Sequence, residues 1–343
     1  MTIPAGTPRV ARLERRRPAP RGFWTMLCAT ALLFLLCLIF APSSIAAGAL
    51  SASLPFAAIL AIVGLGQMLV VQQGGFDLSV AGGVSLAVVI ATHLPAGHDA
   101  ALLPAVVVAF ACAALAGACN GFMVGLLGLN AIVATIGTNA LLYGAIFAIS
   151  GGVPQATTNL LAAIAGKSVL GLGNTVWFAL LLLLLLVFIL KKTVIGRRFE
   201  LIGANPLAAR AMGLKVRRHH AMAYVFAQLL YCVAGILLAG ITAQPTAYQG
   251  DSLLLPSVAV VVLAGTSLLG GRGFPVSAAI AALFLNQLSQ FALAVGVPYS
   301  AQTIIQAFAL GVGIAVYSLR WPRKTIKINK PEDSEERDEL VAS

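Results

Sequence analysis

Residues 177–190 read WFALLLLLLLVFIL, an unbroken apolar run. At the centre of a membrane span each Leu, Ile, Phe or Val favours insertion by about 0.3–0.6 kcal/mol, so this run belongs in lipid. The same texture extends outward. Between Gly22 and Leu190 the charged residues are Asp77, Asp99 and Lys167 alone. The chain has 343 residues, 59% hydrophobic and 10% charged. A soluble domain carries about 25% charged residues, because its surface faces water. In lipid the backbone must satisfy its own hydrogen bonds, which leaves helices or closed barrels. The apolar runs here are continuous and do not alternate, which excludes a barrel. The fold class is all-α, a polytopic membrane helix bundle.

Spans are expected near 23–41, 53–72, 78–94, 102–119, 131–149, 174–190, 221–242, 253–269, 275–295 and 302–319. That is about ten transmembrane helices at about 20 residues each. The first is a signal-anchor and not a cleaved signal peptide, because it is long and Pro42-Ser43-Ser44 is a poor cleavage context. The net charge of +11 is unevenly placed. Basic residues gather at the N-terminus (Arg9 to Arg21), in a central loop (Lys191 to Arg218) and after the last span (Arg320 to Lys330). This is the positive-inside pattern, and it argues against a nucleic-acid partner. Ten spans place both termini, loop 191–220 and Arg272 in the cytoplasm, and loop 150–173 outside. Three regions follow: a basic cytoplasmic N-terminus (1–22), a transmembrane domain (23–319) and a cytoplasmic tail (320–343). The tail is acidic from Pro331 and is expected to be disordered. The 34 glycines suit a closely packed bundle. The five cysteines lie in apolar stretches without C-x-x-C spacing and read as packing residues. One echo links the halves: Gln73-Gly74-Gly75-Phe76-Asp77 and Gln249-Gly250-Asp251 each precede an apolar run. Transporters often contain repeats, but a match this short carries no weight alone.

The central loop, Lys191 to His220, is the most informative stretch. Asn205 suits an N-cap and Pro206 the first helical position. Gly213 suits the left-handed residue that closes a helix. A short helix of about two turns results, by these stop signals. Composition leaves two uses open: a helix lying on anionic lipid, or a docking helix for a soluble partner. In the second, Ala208 and Ala209 offer a low-profile face for a partner's cleft, with Arg210 at the rim.

Residues 193–216 also carry a longer pattern: Gly196-Arg197, Ile202-Gly203, Asn205-Pro206, Ala208-Ala209 and Gly213. It resembles the G-R-x-x-x-x-I-G-x-N-P-x-A-A-x-x-x-G loop of permease subunits of bacterial monosaccharide ABC importers, the ribose-type family. Gly74 to Val80 (GGFDLSV) is similar to that family's G-G-I-D-L-S-V. The stretches at 117–121 (GACNG), 132–137 (IVATIG) and 258–273 (VAVVVLAGTSLLGGRG) resemble family motifs as well. The resemblance covers roughly residues 50–315. Ala264 stands where Gly is usual, and Asn286-Gln287 where Asn-Gly is common; both bear on which sugar is carried. The resemblance implies a homodimeric or heterodimeric permease that works with a cytoplasmic ABC ATPase and a periplasmic or lipid-anchored sugar-binding protein. It implies that the loop residues contact the ATPase. ATP is then used by that partner, and this chain binds no cofactor itself.

Gly74 and Gly75 break a span, and Asp77 sits where Asp caps a new helix beginning at Leu78. Asp77 is read as a structural cap or as a pathway carboxylate. Sugars are held by hydrogen bonds and apolar faces. Candidate pathway residues are therefore Asp77, Asn120, Thr135, Asn139, Asn286, Gln290, Gln302 and Gln306. Three of their pairs stand at i, i+4 spacing on one helix face. The plainer role for each is interhelical hydrogen bonding, worth about 0.6 kcal/mol. Other signals fail. Gly166-Lys167-Ser168 lacks the first Gly of a phosphate-binding loop, since position 161 is Leu. His93, His98, His219 and His220 lack companions at metal-ligand spacing. An ion-coupled secondary transporter is the rival class, but it usually needs an ionisable group at mid-membrane. Asp77 and Asp251 fall near expected span ends. A membrane-embedded enzyme needs clustered acids or histidines, which the sequence lacks. Branched-chain amino acids are the runner-up substrates within the importer class.

Overall fold

The computed structural model describes residues 21–298 and, beyond them, 301, 304, 307, 308 and 311. The basic segment before Arg21, most of the tenth expected span, Gln302, Gln306 and the tail 320–343 lie outside the described residues. The described chain forms α1 (Arg21–Phe40), α2 (Ala47–Gln72), α3 (Val80–His93), α4 (Leu102–Asn120), α5 (Ala131–Ser150), α6 (Asn159–Gly166), α7 (Asn174–Lys192), α8 (Val194–Ala204), α9 (Pro206–Ala211), α10 (Val216–Ile241), α11 (Leu254–Leu263) and α12 (Pro275–Ala294). A two-stranded hairpin, Ser168–Val169 against Leu172–Gly173, precedes α7.

Among the described residues, seven helices are long and apolar enough to cross a membrane. Two expected spans, 78–94 and 253–269, are helical over only part of the way across the bundle. Each is a short helix joined to a stretch without α-helix. α3 rises about 21 Å and α11 about 15 Å, against about 30 Å of hydrocarbon. The reason is local. Gly74 takes φ +79° and closes α2, its amide bonding to Val71 O and that of Gly75 to Val70 O. Gly265 takes φ +77° and closes α11 in the same way, through Val262 O and Val261 O. Both are six-to-one, five-to-two helix stops that need a left-handed residue.

α10 is the central post, packed on α2, α3 and α4. A glycine stripe lets α4 and its π-helical extension (Gly121–Leu126) touch it. A Cβ on Gly117 would lie 2.6 Å from Val225 Cα, and one on Gly121 2.6 Å from Ala221 O. Such close backbone approach is what small residues permit between membrane helices.

The bundle has two distinguishable ends. At one, the α7–α10 connection adjoins the 264–273 turn, since Gly203 abuts Gly271, and Gly22 at the start of α1 abuts Ala264. At the other, Gly240 near the end of α10 packs on α6. Loops 150–173 and 193–215 therefore lie at opposite ends, as the charge pattern requires. The start of α1 and Arg272 share the end of the basic loop.

Candidate functional site

The break between α2 and α3 is built around Asp77, which is 0% exposed. Its Oδ1 accepts the Ser79 backbone N–H at 2.9 Å and the Ser79 hydroxyl. Its Oδ2 accepts from Gln228 Nε2 at 3.3 Å. Ser79 Oγ also accepts from Gln228 Nε2 at 2.7 Å and from Asn120 Nδ2 at 2.8 Å. Two distant helices, α4 and α10, thus converge on one serine beside Asp77. α3 begins at Val80 with Ser79 as its N-cap residue, not at Leu78 with Asp77 as cap. Asp77 closes the turn before the helix. The open N–H groups around the start of α3 are met from α5: Thr135 Oγ1 accepts Leu78 N–H at 3.0 Å, and Asn139 Oδ1 accepts Gly82 N–H at 2.8 Å. A helix end inside a bundle needs such partners, because each orphan amide is costly away from water.

Four candidate residues, Asp77, Asn120, Thr135 and Asn139, are therefore one constellation. Asn286 and Gln290 are not part of it. They lie on α12, where Asn286 Nδ2 donates to Ser53 O on α2 at 3.3 Å and Gln290 is half-buried. Ser79 and Gln228 escaped the sequence reading, although Tyr224, Gln228 and Tyr231 form a polar stripe at helical spacing along an apolar span. Asn120 Oδ1, Gln228 Oε1 and the Tyr224 hydroxyl are buried without a protein partner among the described residues.

A second break faces the first. After α10 the chain returns to the middle of the bundle. There the 3-10 turn Gln249–Leu253 leads into α11. Gly250 sits against Ala81 and Ser85 in the first turns of α3, and its N–H donates to Ser85 Oγ at 2.9 Å. From this meeting point α3 runs toward the α6 end, where His93 Nε2 lies 3.1 Å from Val153 O. α11 runs toward the basic-loop end. Two opposed half-helices thus meet at their N-termini, although Gln73 and Gly74 lie at the basic-loop end and Gln249 and Gly250 at the meeting point.

The basic loop grips the outer ends of both breaks. α8 is capped by Thr193, whose Oγ1 accepts Gly196 N–H at 3.2 Å, and Gly196 turns tightly against Ile189 and Leu190. At the far end of α8, Gly203 lies on Gln72 O and Gly271 N, too close for any Cβ. Gln73 Nε2 donates to Phe199 O at 2.9 Å, and Gly271 N–H to Gln72 O at 2.8 Å. α9 follows as the sequence predicts. Asn205 Oδ1 accepts Ala208 N–H at 3.0 Å, Pro206 is the first helical residue, and Gly213 takes φ +78°. The proposed low-profile face is half right. Ala208 is exposed, but Ala209 is 0% exposed and packs with Ile202, Val216 and Leu214. The outward face carries Leu207 at 77% and Met212 at 61% exposure, beside exposed Arg197 and Arg210.

The family described as "Branched-chain amino acid transport system / permease component" matches residues 49–316. The chain belongs to this family. Among its relatives it is 32% identical over 260 residues to a "Probable ABC transporter permease protein" of Sinorhizobium fredii, covering 75% of this chain and 77% of the other. It is 36% identical over 237 residues to an autoinducer 2 import system permease protein of an Enterobacter species, 67% of each chain. A protein of the same description from Salmonella paratyphi B is 31% identical over 303 residues, 85% of this chain and 86% of that one. No solved structure matches the chain. The resemblance read from the motifs therefore holds. The permease is a multi-pass inner-membrane protein and a transporter component, not an enzyme.

Proposed function

We propose that this chain is the transmembrane subunit of an ATP-driven importer, and that it passes a monosaccharide or a similar small hydroxylated solute. The observation that carries the reading is the linkage of the loop to the breaks. α9 presents an exposed apolar tip, and α8 ties that tip by direct backbone contact to Gln72 and Gly271, the outer ends of both broken spans. A soluble ATPase docked on α9 can push both half-helices at once. ATP is hydrolysed on that partner, and no phosphate-binding loop is needed here. The solute is handed over at the opposite end by a periplasmic or lipid-anchored binding protein. The end bearing α8 and α9 faces the cytoplasm, with both termini, and the end bearing Lys167 faces out. A second copy or a paralogue completes the pathway. The relatives that import autoinducer 2 favour a sugar-like cargo over a branched-chain amino acid.

Uptake tests this directly. Cells or proteoliposomes carrying the permease with its ATPase and binding protein are offered labelled pentoses, hexoses, autoinducer 2 and leucine. Hydroxylated solutes should accumulate only with ATP. Uphill uptake by this chain alone, under an ion gradient and without ATP, would identify a secondary transporter and end the proposal. Docking has its own test. Ala208→Trp should abolish co-purification of the ATPase, because it adds bulk to the exposed face, and Arg210→Ala should weaken it modestly in a salt-dependent way. If α9 instead lies on lipid, the arginine loss is the more harmful change.

A further inference from the structure

Asp251 is an exposed carboxylate at the point where the two half-helices meet. Its surroundings hold it in place. Gly250 is pinned to Ser85, and Gln249 Oε1 accepts Thr246 N–H at 3.1 Å and Thr246 Oγ1 at 2.9 Å, fixing the turn. Tyr143 on α5 donates its hydroxyl to Asp251 Oδ1. The Tyr143 ring meets the Tyr248 ring edge-on, with centroids 5.4 Å apart and planes at 79°. Asn139 stands one turn earlier on α5, its Oδ1 accepting Gly82 N–H. No lysine or arginine neutralises Asp251: among the described residues the sole ion pair is Lys191 with Glu200. Tyr143 stands about 18 Å along α5 from Ala131, well inside a helix of about 30 Å.

The chemistry of this group is specific. A carboxylate accepts at both oxygens, so it can take paired hydroxyls as well as the phenol. Two aromatic rings supply the flat apolar surface on which the C–H face of a sugar rests. The uncompensated negative charge repels anions. We propose that Asp251, Tyr143 and Tyr248 form a selectivity subsite in the pathway, one that admits neutral polyhydroxy solutes and turns away anionic ones such as sugar phosphates and sugar acids. This rests on the reading of the chain as an importer permease for a hydroxylated solute. Asp251 has a second use to be set against it, as a plain strut that joins α5 to the 249–253 turn.

The experiment compares three variants in the assembled importer, with uptake measured for the best neutral sugar and for its acid analogue. Asp251→Asn should lower neutral-sugar uptake about tenfold or more, as loss of a charged acceptor does, and should raise the acid's share of uptake. Tyr248→Leu should lower it about fivefold, by loss of the ring alone. Tyr143→Phe, which keeps ring and carboxylate but loses the phenol that orients Asp251, should lower uptake about threefold and leave the acid's share at the wild-type level. Recovery of each variant with the ATPase verifies assembly, and Tyr248→Leu carries the test if Asp251→Asn does not assemble. Equal losses in Asp251→Asn and Tyr143→Phe, with an unchanged acid share, would overturn the subsite and leave a strut. Wild-type sugar uptake that neither Asp251→Asn nor Tyr248→Leu alters would also overturn it, without touching the assigned function. Wild-type uptake restricted to leucine would overturn both.

Discussion

Each break places an acid ahead of a short helix, yet the two treat their acids in opposite ways. Asp77 is sealed inside, its two oxygens occupied by Ser79 and Gln228. Asp251 is open and held by a single phenol from α5. Both lie near the N-terminus of a half-helix, where a negative group is favoured by the helix dipole. The difference teaches that an acid beside a break has no fixed meaning. Its role follows from how many donors surround it. Saturated, it holds the chain in shape; left open, it can meet a solute.

Substitutions can break this contrast. The largest effect is expected from Asp77→Ala, which leaves the Ser79 hydroxyl and amide without their acceptor. It should cost about 3 kcal/mol or more, seen as a lower thermal midpoint in detergent. Asp251→Ala should cost about 1 kcal/mol or less. If the two variants unfold at the same temperature, the contrast between a sealed acid and an open one is lost. Next comes Gly203→Val, which drives side-chain carbons into Gln72 O and Gly271 N. Overpacking of this kind costs about 1–3 kcal/mol. Transport should vanish while the ATPase still co-purifies, because α9 itself is untouched. Asn139→Ala should cost about 1 kcal/mol by leaving Gly82 N–H uncapped. It should have less effect on stability than Asp77→Ala, measured in the same melts. The smallest effect is expected at Gly213→Ala. A Cβ there meets open space, so only the left-handed φ is strained, at about 1 kcal/mol. ATPase binding should weaken, and the melt should fall no further than in Asn139→Ala.

What the sequence reveals follows from distance along the chain. The ends of α9 are legible because Asn205, Pro206 and Gly213 act on backbone within a few residues of themselves. Gly74 is legible as a break for the same reason. The length of α11 is not, because hydropathy counts apolar residues and takes no account of their dihedral angles. The segment 253–269 looks like a full span until Gly265 is seen to stop the helix at Leu263. Ala208 and Ala209 are identical in composition. Only packing against Ile202 and Val216 decides which one turns inward. The partnership of Ser79 with Gln228 spans 149 residues and depends on how α10 packs on α3. Nothing near either residue announces it. Tyr143 and Asp251 are separated by 108 residues and hidden for the same reason.

The seal around Asp77 also has a history during synthesis. Its Ser79 bonds come from two residues away and can form as soon as the segment leaves the ribosome. Its Gln228 bond awaits a residue 151 positions later. At about 5–20 residues per second, that interval is about 8–30 s. Throughout it α3 is too short to span the bilayer alone and carries an acid at its base. The nascent chain must therefore keep this half-helix sheltered, at the interface or against the insertion machinery, until α10 arrives. The short turn that Asp77 makes with Ser79 is what it has to wait with.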